Sequence, residues 1–238
     1  MSDFAAMECT HGETTMDGFV AMPEGTGPHA AVLLFPGATG TGPTFEKRAR
    51  ELAALGYLAV GINVYGKGAD LSSEQAAGAH FMALLQQPDE IRARVLAWVD
   101  ALAAREDVDA ARMAAIGYCF GGKCVFELAR GGGDVKAVVG FHGLLETHAP
   151  AQKGEVKARV VAWCAGQDPY APAEHIDGFR AEMAAAGVAH QVTVFSDVQH
   201  SFSDPDHDGL QPGIAYDAVA DAVSWAGTVA LLGEVLAA

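Results

Sequence analysis

Short apolar runs alternate with longer segments whose apolar residues recur every three or four positions, almost from one end of the chain to the other. That alternation predicts buried strands joined by crossover helices in a mostly parallel sheet. The strands fall at 30–35, 57–62, 113–117, 135–140, 159–164 and 191–195, each ending near Gly, Pro, Asp or Ser. The segments 45–55, 73–85, 89–104, 120–130, 173–186 and 214–236 have helical composition and cover both faces. An early segment, 15–22, reads as an antiparallel edge strand, followed by a turn at 23–28. No repeat, charge block or low-complexity linker divides the chain, so residues 1–238 are expected to form one α/β domain.

Composition narrows the partners. Half of the 238 residues are apolar and 19% are charged, which excludes a disordered chain or a small disulfide scaffold. With 15 Lys and Arg against 30 Asp and Glu, the net charge of −15 repels phosphate backbones and anionic lipid, and argues against nucleic acid or a membrane as partner. Residues 1–10 carry Asp3 and Glu8 where a signal peptide needs positive charge, and no uninterrupted apolar run approaches the roughly 20 residues of a membrane span. A soluble cytoplasmic protein, monomer or homodimer, is expected. Cys9, Cys119, Cys124 and Cys164 are scattered, with no CxxC pair and no zinc-like Cys/His spacing, which fits a reducing compartment and no metal.

The chemistry concentrates in 113–130, an apolar strand followed at once by a helix, with Cys119 at the joint. Gly117-Tyr118-Cys119-Phe120-Gly121 has the form of the nucleophile elbow G-x-S-x-G, with sulfur in place of oxygen. Such a turn needs flanking glycines, because side chains there collide with the neighbouring strand and helix. It also presents its central residue at the positive end of the helix, which favours a thiolate. Cys124, inside the helix with no flanking glycine pair, reads as packing, as do Cys9 and Cys164.

A thiol nucleophile needs a base, and the base needs an orienting carboxylate, in the chain order nucleophile, acid, histidine. Asp168 lies in a turn after the strand 159–164, and His200 on the loop after 191–195. They are the candidate acid and base. Asp177 falls inside a helix, Asp197 is too near His200 in sequence, and His207 reads as a solvated turn residue. For the oxyanion hole, one donor is the backbone N–H of Phe120 and the other comes from 36–40, where Pro36 has none and Ala38 is favoured over Gly37. A phosphate loop is the competing reading of 36–40, but G-x-G-x-x-G and a Walker lysine are both absent. His142, after another strand, is placed at the cleft, and Tyr65, Phe81, Phe120, Tyr170 and Phe202 point to an apolar acyl site. Lys67 reads either as a cation for substrate or as a surface lysine.

From near Ala30 to near Leu236 the sequence resembles the dienelactone hydrolase family of the α/β-hydrolase fold, most specifically in Gly117-Tyr118-Cys119-Phe120-Gly121-Gly122-Lys123 and in Asp168 and His200-Ser201-Phe202. The resemblance implies a mostly parallel central sheet with helices on both faces. It also implies hydrolysis of an ester or lactone through an acyl-cysteine, with a Cys119, His200, Asp168 triad and no cofactor. Two family features are not matched. The activating glutamate after the first core strand is replaced by Phe35-Pro36-Gly37, and the carboxylate-binding arginine after the histidine by Ser203-Asp204-Pro205. An acid there repels a carboxylate, so a neutral ester, lactone or thioester is at least as good a substrate as a dienelactone. The alternative reading is a non-catalytic or redox-sensing protein that keeps the fold, with Cys119 as its responsive thiol.

Overall fold

The computed structural model describes residues 4–237. Eight strands form one sheet: β1 (Ala5–His11), β2 (Thr14–Ala21), β3 (His29–Phe35), β4 (Leu58–Ile62), β5 (Val108–Tyr118), β6 (Ala137–Phe141), β7 (Arg159–Ala165) and β8 (His190–Phe195). Their order across the sheet is β1-β2-β4-β3-β5-β6-β7-β8. From β4 to β8 every pairing is parallel, and β1 and β2 add an antiparallel hairpin at one edge. The helices are α1 (Pro43–Ala54), α2 (Glu74–Leu85), α3 (Pro88–Ala103), α4 (Phe120–Arg130), α5 (Ala173–Ala185) and α6 (Ala218–Val235).

Strand periodicity of two explains the layering. On β3, Ala31, Leu33 and Phe35 join a core with Trp98 of α3, Cys124 of α4 and Phe179 of α5, whereas Ala30, Val32 and Leu34 pack towards Phe45 and Leu52 of α1 and Leu232 of α6. Both faces of the central strands are therefore covered, which is why these strands read as unbroken apolar runs.

The structure corrects the sequence reading at the amino end. Segment 15–22 was expected at the sheet edge, but the edge strand is β1, and β2 lies inside it, paired with both β1 and β4. The β1 sequence AAMECTH buries only Met7 and Cys9, so its period-two signal is short and weak. The last helix also starts later than residue 214, because Asp217 caps it and accepts from the N–H groups of Val219 and Ala220.

α6, with 18 residues and a mean hydropathy of 1.3, is long and apolar enough to cross a membrane by length and composition alone, although Asp221 and Glu234 interrupt its apolar run. Its inner face carries polar anchors: Thr228 Oγ1 accepts from Trp163 Nε1 at 3.1 Å, and Asp221 pairs with Arg48 of α1. These ties fix it to the sheet and α1.

Parallel register brings the ends of β3, β5, β6, β7 and β8 to one edge, with Phe35 beside Gly117, Tyr118 beside Phe141, Phe141 beside Trp163 and Ala165 beside Phe195. After β3 the chain moves outward to β4 and then returns to β5 on the opposite side. The crevice at such a switch point is where open α/β sheets bind ligands.

Candidate active site

Cys119 stands between β5 and α4 with φ 52° and ψ −114°, a left-handed conformation that costs a non-glycine residue on the order of 1–3 kcal/mol. Among the described residues, positive φ at non-glycine positions occurs at Cys119, His142 and Ser201, all on loops at this edge of the sheet. The flanking glycines are steric necessities. A Cβ at Gly117 would run into the carbonyl of Gly121, and one at Gly121 into the carbonyl of Phe35. Gly122 also leaves no room for a Cβ, which would press on the Gly143 backbone, though less tightly. The three glycines let α4 press onto β3, β5 and the loop after β6, so the elbow projects its thiol into the crevice.

Asp168, on the turn after β7, accepts the backbone N–H of Tyr170 on Oδ1 (2.8 Å) and meets His200 Nδ1 with Oδ2 (2.7 Å). Both residues are buried. The His200 ring lies within hydrogen-bonding reach of the Cys119 sulfur, and so do the backbone N–H groups of Ala38 and Phe120. Burial works against a thiolate at Cys119, yet the His200 charge and hydrogen bond and the two N–H groups outweigh it and hold the thiol below its ordinary value. Burial likewise opposes an imidazolium at His200, but the Cys119 charge and the Asp168 hydrogen bond raise it above its ordinary value. Both shifts run in the direction that favours a thiolate–imidazolium pair. Cys124 and Cys164 behave oppositely: burial pushes both thiols up, Cys164 to about 12, and all four cysteines are free.

Cys119 and His200 open onto a cavity of about 280 Å³ with an apolar wall of Phe81, Leu144, Tyr170, Leu210 and Ile214. Of the residues expected from sequence, Cys119, Asp168, His200, Ala38 and Phe120 converge, and His142 lines the cavity. The His142 imidazole is buried beside His200, with ring centroids 4.9 Å apart, and its Nε2 lies 2.9 Å from Ser203 Oγ. Burial and the neighbouring His200 charge push its protonation well below the ordinary range, so it is neutral at pH 7.

Three expected substrate contacts lie elsewhere. Lys67 is exposed and pairs with Glu8 of β1 (2.5 Å), so it is the surface lysine of the two readings. Tyr65 sits behind the loop 36–40, stacked on Phe120 (5.7 Å, 9°) and donating its hydroxyl to the Ala38 carbonyl (2.9 Å). Phe202 is fully buried against His142 and Phe195 and supports the histidine loop from below.

His207, read from sequence as a solvated turn residue, instead lines the cavity. Its Nδ1 is 2.6 Å from Asp204 Oδ2 and its Nε2 is 2.9 Å from Thr39 Oγ1. Asp204-Pro205-Asp206-His207 forms a 3-10 turn capped by Asp204, and that turn aims the ring inward. Asp204 of the Ser203-Asp204-Pro205 segment is thus already engaged with an imidazole. Local spacing gave no sign of this, since the contact spans 168 residues.

The dienelactone hydrolase family profile matches residues 16–236. The structure is similar to that named m3DLH, 33% identical, with a TM-score of 0.91 and 99% of each chain covered. It is also similar to a dienelactone hydrolase-like promiscuous phosphotriesterase from metagenomic libraries, 33% identical, with a TM-score of 0.88 and 98% of each chain covered. A Yersinia pestis protein provisionally named a carboxymethylenebutenolidase is 27% identical over 81% of this chain and 78% of its own. A profile match over nearly the whole chain, on a mostly parallel sheet with the elbow at its switch point, makes this protein a member of the dienelactone hydrolase family and a hydrolase of the α/β-hydrolase fold.

Proposed function

We propose that this hydrolase cleaves a neutral carboxylic ester or lactone through an acyl-cysteine intermediate on Cys119. The observation that carries the reading is the convergence, on one cavity, of the Cys119 sulfur, the His200–Asp168 pair and the N–H groups of Ala38 and Phe120. His200 holds the proton from Cys119 while Asp168 fixes its tautomer, and the thiolate adds to the substrate carbonyl carbon. The resulting oxyanion is met by the two N–H groups. As the carbonyl re-forms, the C–O bond to the leaving group breaks and His200 Nε2 protonates the departing oxygen. Water then gives a proton to His200 and attacks the thioester, and the acid is released as Cys119 returns to thiolate. With a lactone the leaving oxygen stays attached, and the product is one hydroxy acid.

Charge at the rim supports a neutral substrate. Glu74 and Asp204 line the cavity, and its imidazoles His200 and His207 are each already paired with an aspartate. The cavity wall suits an apolar acyl group. Four free cysteines fit a reducing, cytoplasmic setting, and the fold serves a monomer or a homodimer equally. A sensing thiol has no need of a base, an orienting acid and two oxyanion donors together, which favours catalysis over the redox-sensing alternative.

The test is a time course of p-nitrophenyl acetate and butyrate hydrolysis under reducing conditions for wild type, Cys119→Ala and His200→Ala. Turnover by wild type that is lost in both variants supports the reading. Equal rates in all three contradict it. A neutral aryl phosphotriester is the next substrate to try, given the similar protein named a promiscuous phosphotriesterase.

A further inference from the structure

We propose that His207 is a positioning residue that latches the oxyanion loop, through Thr39, to the loop that carries His200. The inference rests on the acyl-cysteine reading above, since it assigns a device that aims one of the two oxyanion donors.

The geometry is a relay outside the Cys119, His200, Asp168 set. Asp204 Oδ2 holds His207 Nδ1 at 2.6 Å, and His207 Nε2 reaches Thr39 Oγ1 at 2.9 Å. Thr39 directly follows Ala38, whose N–H faces the Cys119 sulfur. A second tie runs parallel to the first: Asp206 Oδ2 accepts the backbone N–H of Thr44 at 2.8 Å. That bond supplies the opening turn of α1 with an acceptor that its own cap residue, Gly42, lacks. From the opposite side the Tyr65 hydroxyl donates to the Ala38 carbonyl. Ala38 is thus held between two anchors on either side of its loop.

The loop needs such anchors. Within it, the hydrogen bond from Gly40 N–H to the Gly37 carbonyl (3.0 Å) closes a tight turn between two glycines, and Gly40 takes φ +85°. A glycine-bounded turn resists displacement weakly. An oxyanion donor contributes only when it is aimed where the charge develops, and a misplacement of about 1 Å costs on the order of 100-fold. The latch holds in either protonation state of His207: the neutral ring accepts from the Thr39 hydroxyl and the protonated ring donates to it. It is a clamp and not a pH gate.

The variants are Thr39→Val, which keeps the shape and removes the hydroxyl, His207→Phe, which removes both ring nitrogens, and His207→Gln, whose amide reaches the Nε2 position. With p-nitrophenyl butyrate, T39V and H207F are expected to lower kcat about tenfold or more with KM within about threefold. H207Q is expected to restore most of the loss. The double variant T39V/H207F should fall no further than the poorer single, because both remove one link. Iodoacetamide alkylation of Cys119 should slow far less than kcat in all of them, since the His200 charge and hydrogen bond outrank the Ala38 N–H in holding the thiolate. Hydrogen exchange of the segment 36–41 should rise in T39V and H207F.

Additive losses, an effect on KM alone, slowed alkylation matching the loss of kcat, or unchanged exchange at 36–41 would each overturn the latch. Absence of wild-type ester turnover would defeat the acyl-cysteine reading instead. The exchange measurement would still decide whether Thr39 and His207 hold the loop.

Discussion

Asp168 and His200 leave the sheet from adjacent parallel strands, β7 and β8, and meet at 2.7 Å with both side chains buried. In the proposed mechanism that contact makes His200 a fixed base, because the carboxylate assigns the proton to Nδ1 and leaves Nε2 free to face the sulfur.

Removing the charge at residue 168 while keeping its shape tests this relationship. Asp168→Asn should lower kcat by about 10- to 150-fold, the equivalent of the roughly 1.5–3 kcal/mol of a hydrogen bond to a charged group, with KM little changed. Steady-state kinetics on p-nitrophenyl butyrate checks it, and an unchanged kcat refutes the orienting role.

The thiolate–imidazolium pair has its own pH signature. The Cys119 thiol is held below its ordinary value and the His200 imidazolium above its own, which favours the ion pair at intermediate pH. Alkylation of Cys119 by iodoacetamide should therefore stay fast at pH 7, below the usual thiol range of about 8.5, and fall only as acid protonates the sulfur. In His200→Ala the profile should move up to that ordinary range. A wild-type profile that already matches a free thiol would contradict the pairing.

The close approach of α4 to β3 is a stability prediction. Gly121→Ala places a Cβ against the Phe35 carbonyl, backbone that has no side chain to rotate away. Overpacking of this kind costs about 1–3 kcal/mol, and here it also displaces the elbow. Urea unfolding should show the loss together with reduced Cys119 alkylation. Wild-type stability in that variant would mean the contact is looser than described.

Beneath the elbow, Glu127 on α4 is fully buried among Arg92 (2.6 Å), Arg130 (3.1 Å) and Lys123 (3.8 Å), and Arg130 also grips Glu182 of α5. Burial opposes the Glu127 charge, but Arg130, Thr147, Arg92 and Lys123 together hold its carboxyl below the usual range. Because the folded value is depressed, the carboxylate adds stability above the unfolded carboxyl value and loses it as pH falls through the folded one. Glu127→Gln leaves Arg92 and Lys123 without their carboxylate partner, while Arg130 keeps Glu182, and should cost about 3 kcal/mol at pH 7. The difference from wild type should shrink in acid. Urea midpoints at pH 7 and pH 4 that differ equally would rule this out.

Much of this site was legible because its signals are local. The glycine spacing around Cys119 reflects contacts that no other residue permits, and each proposed triad partner follows an apolar strand whose end the pattern marks. What was not legible depends on pairings across the sheet. Lys67 and Tyr65 sit near the cleft in sequence, yet hairpin partner Glu8 claims the first and the Ala38 carbonyl the second. Phe202 lies two residues after His200 but turns inward to fill space under His142. His207 shows the reverse, a polar turn residue drawn into the cavity by Thr39, a partner no spacing rule connects to it. At the amino end, β1 escaped notice because a half-exposed edge strand has only two buried positions to show.

The central claim is that Cys119 carries the acyl group. Wild-type protein mixed with p-nitrophenyl butyrate and quenched in acid should yield, by mass spectrometry, one butyryl group on the peptide that contains Cys119. His200→Ala should give markedly less of this adduct and Cys119→Ala none. Ester turnover with no acyl group on that peptide, or equal turnover by Cys119→Ala, would contradict the account.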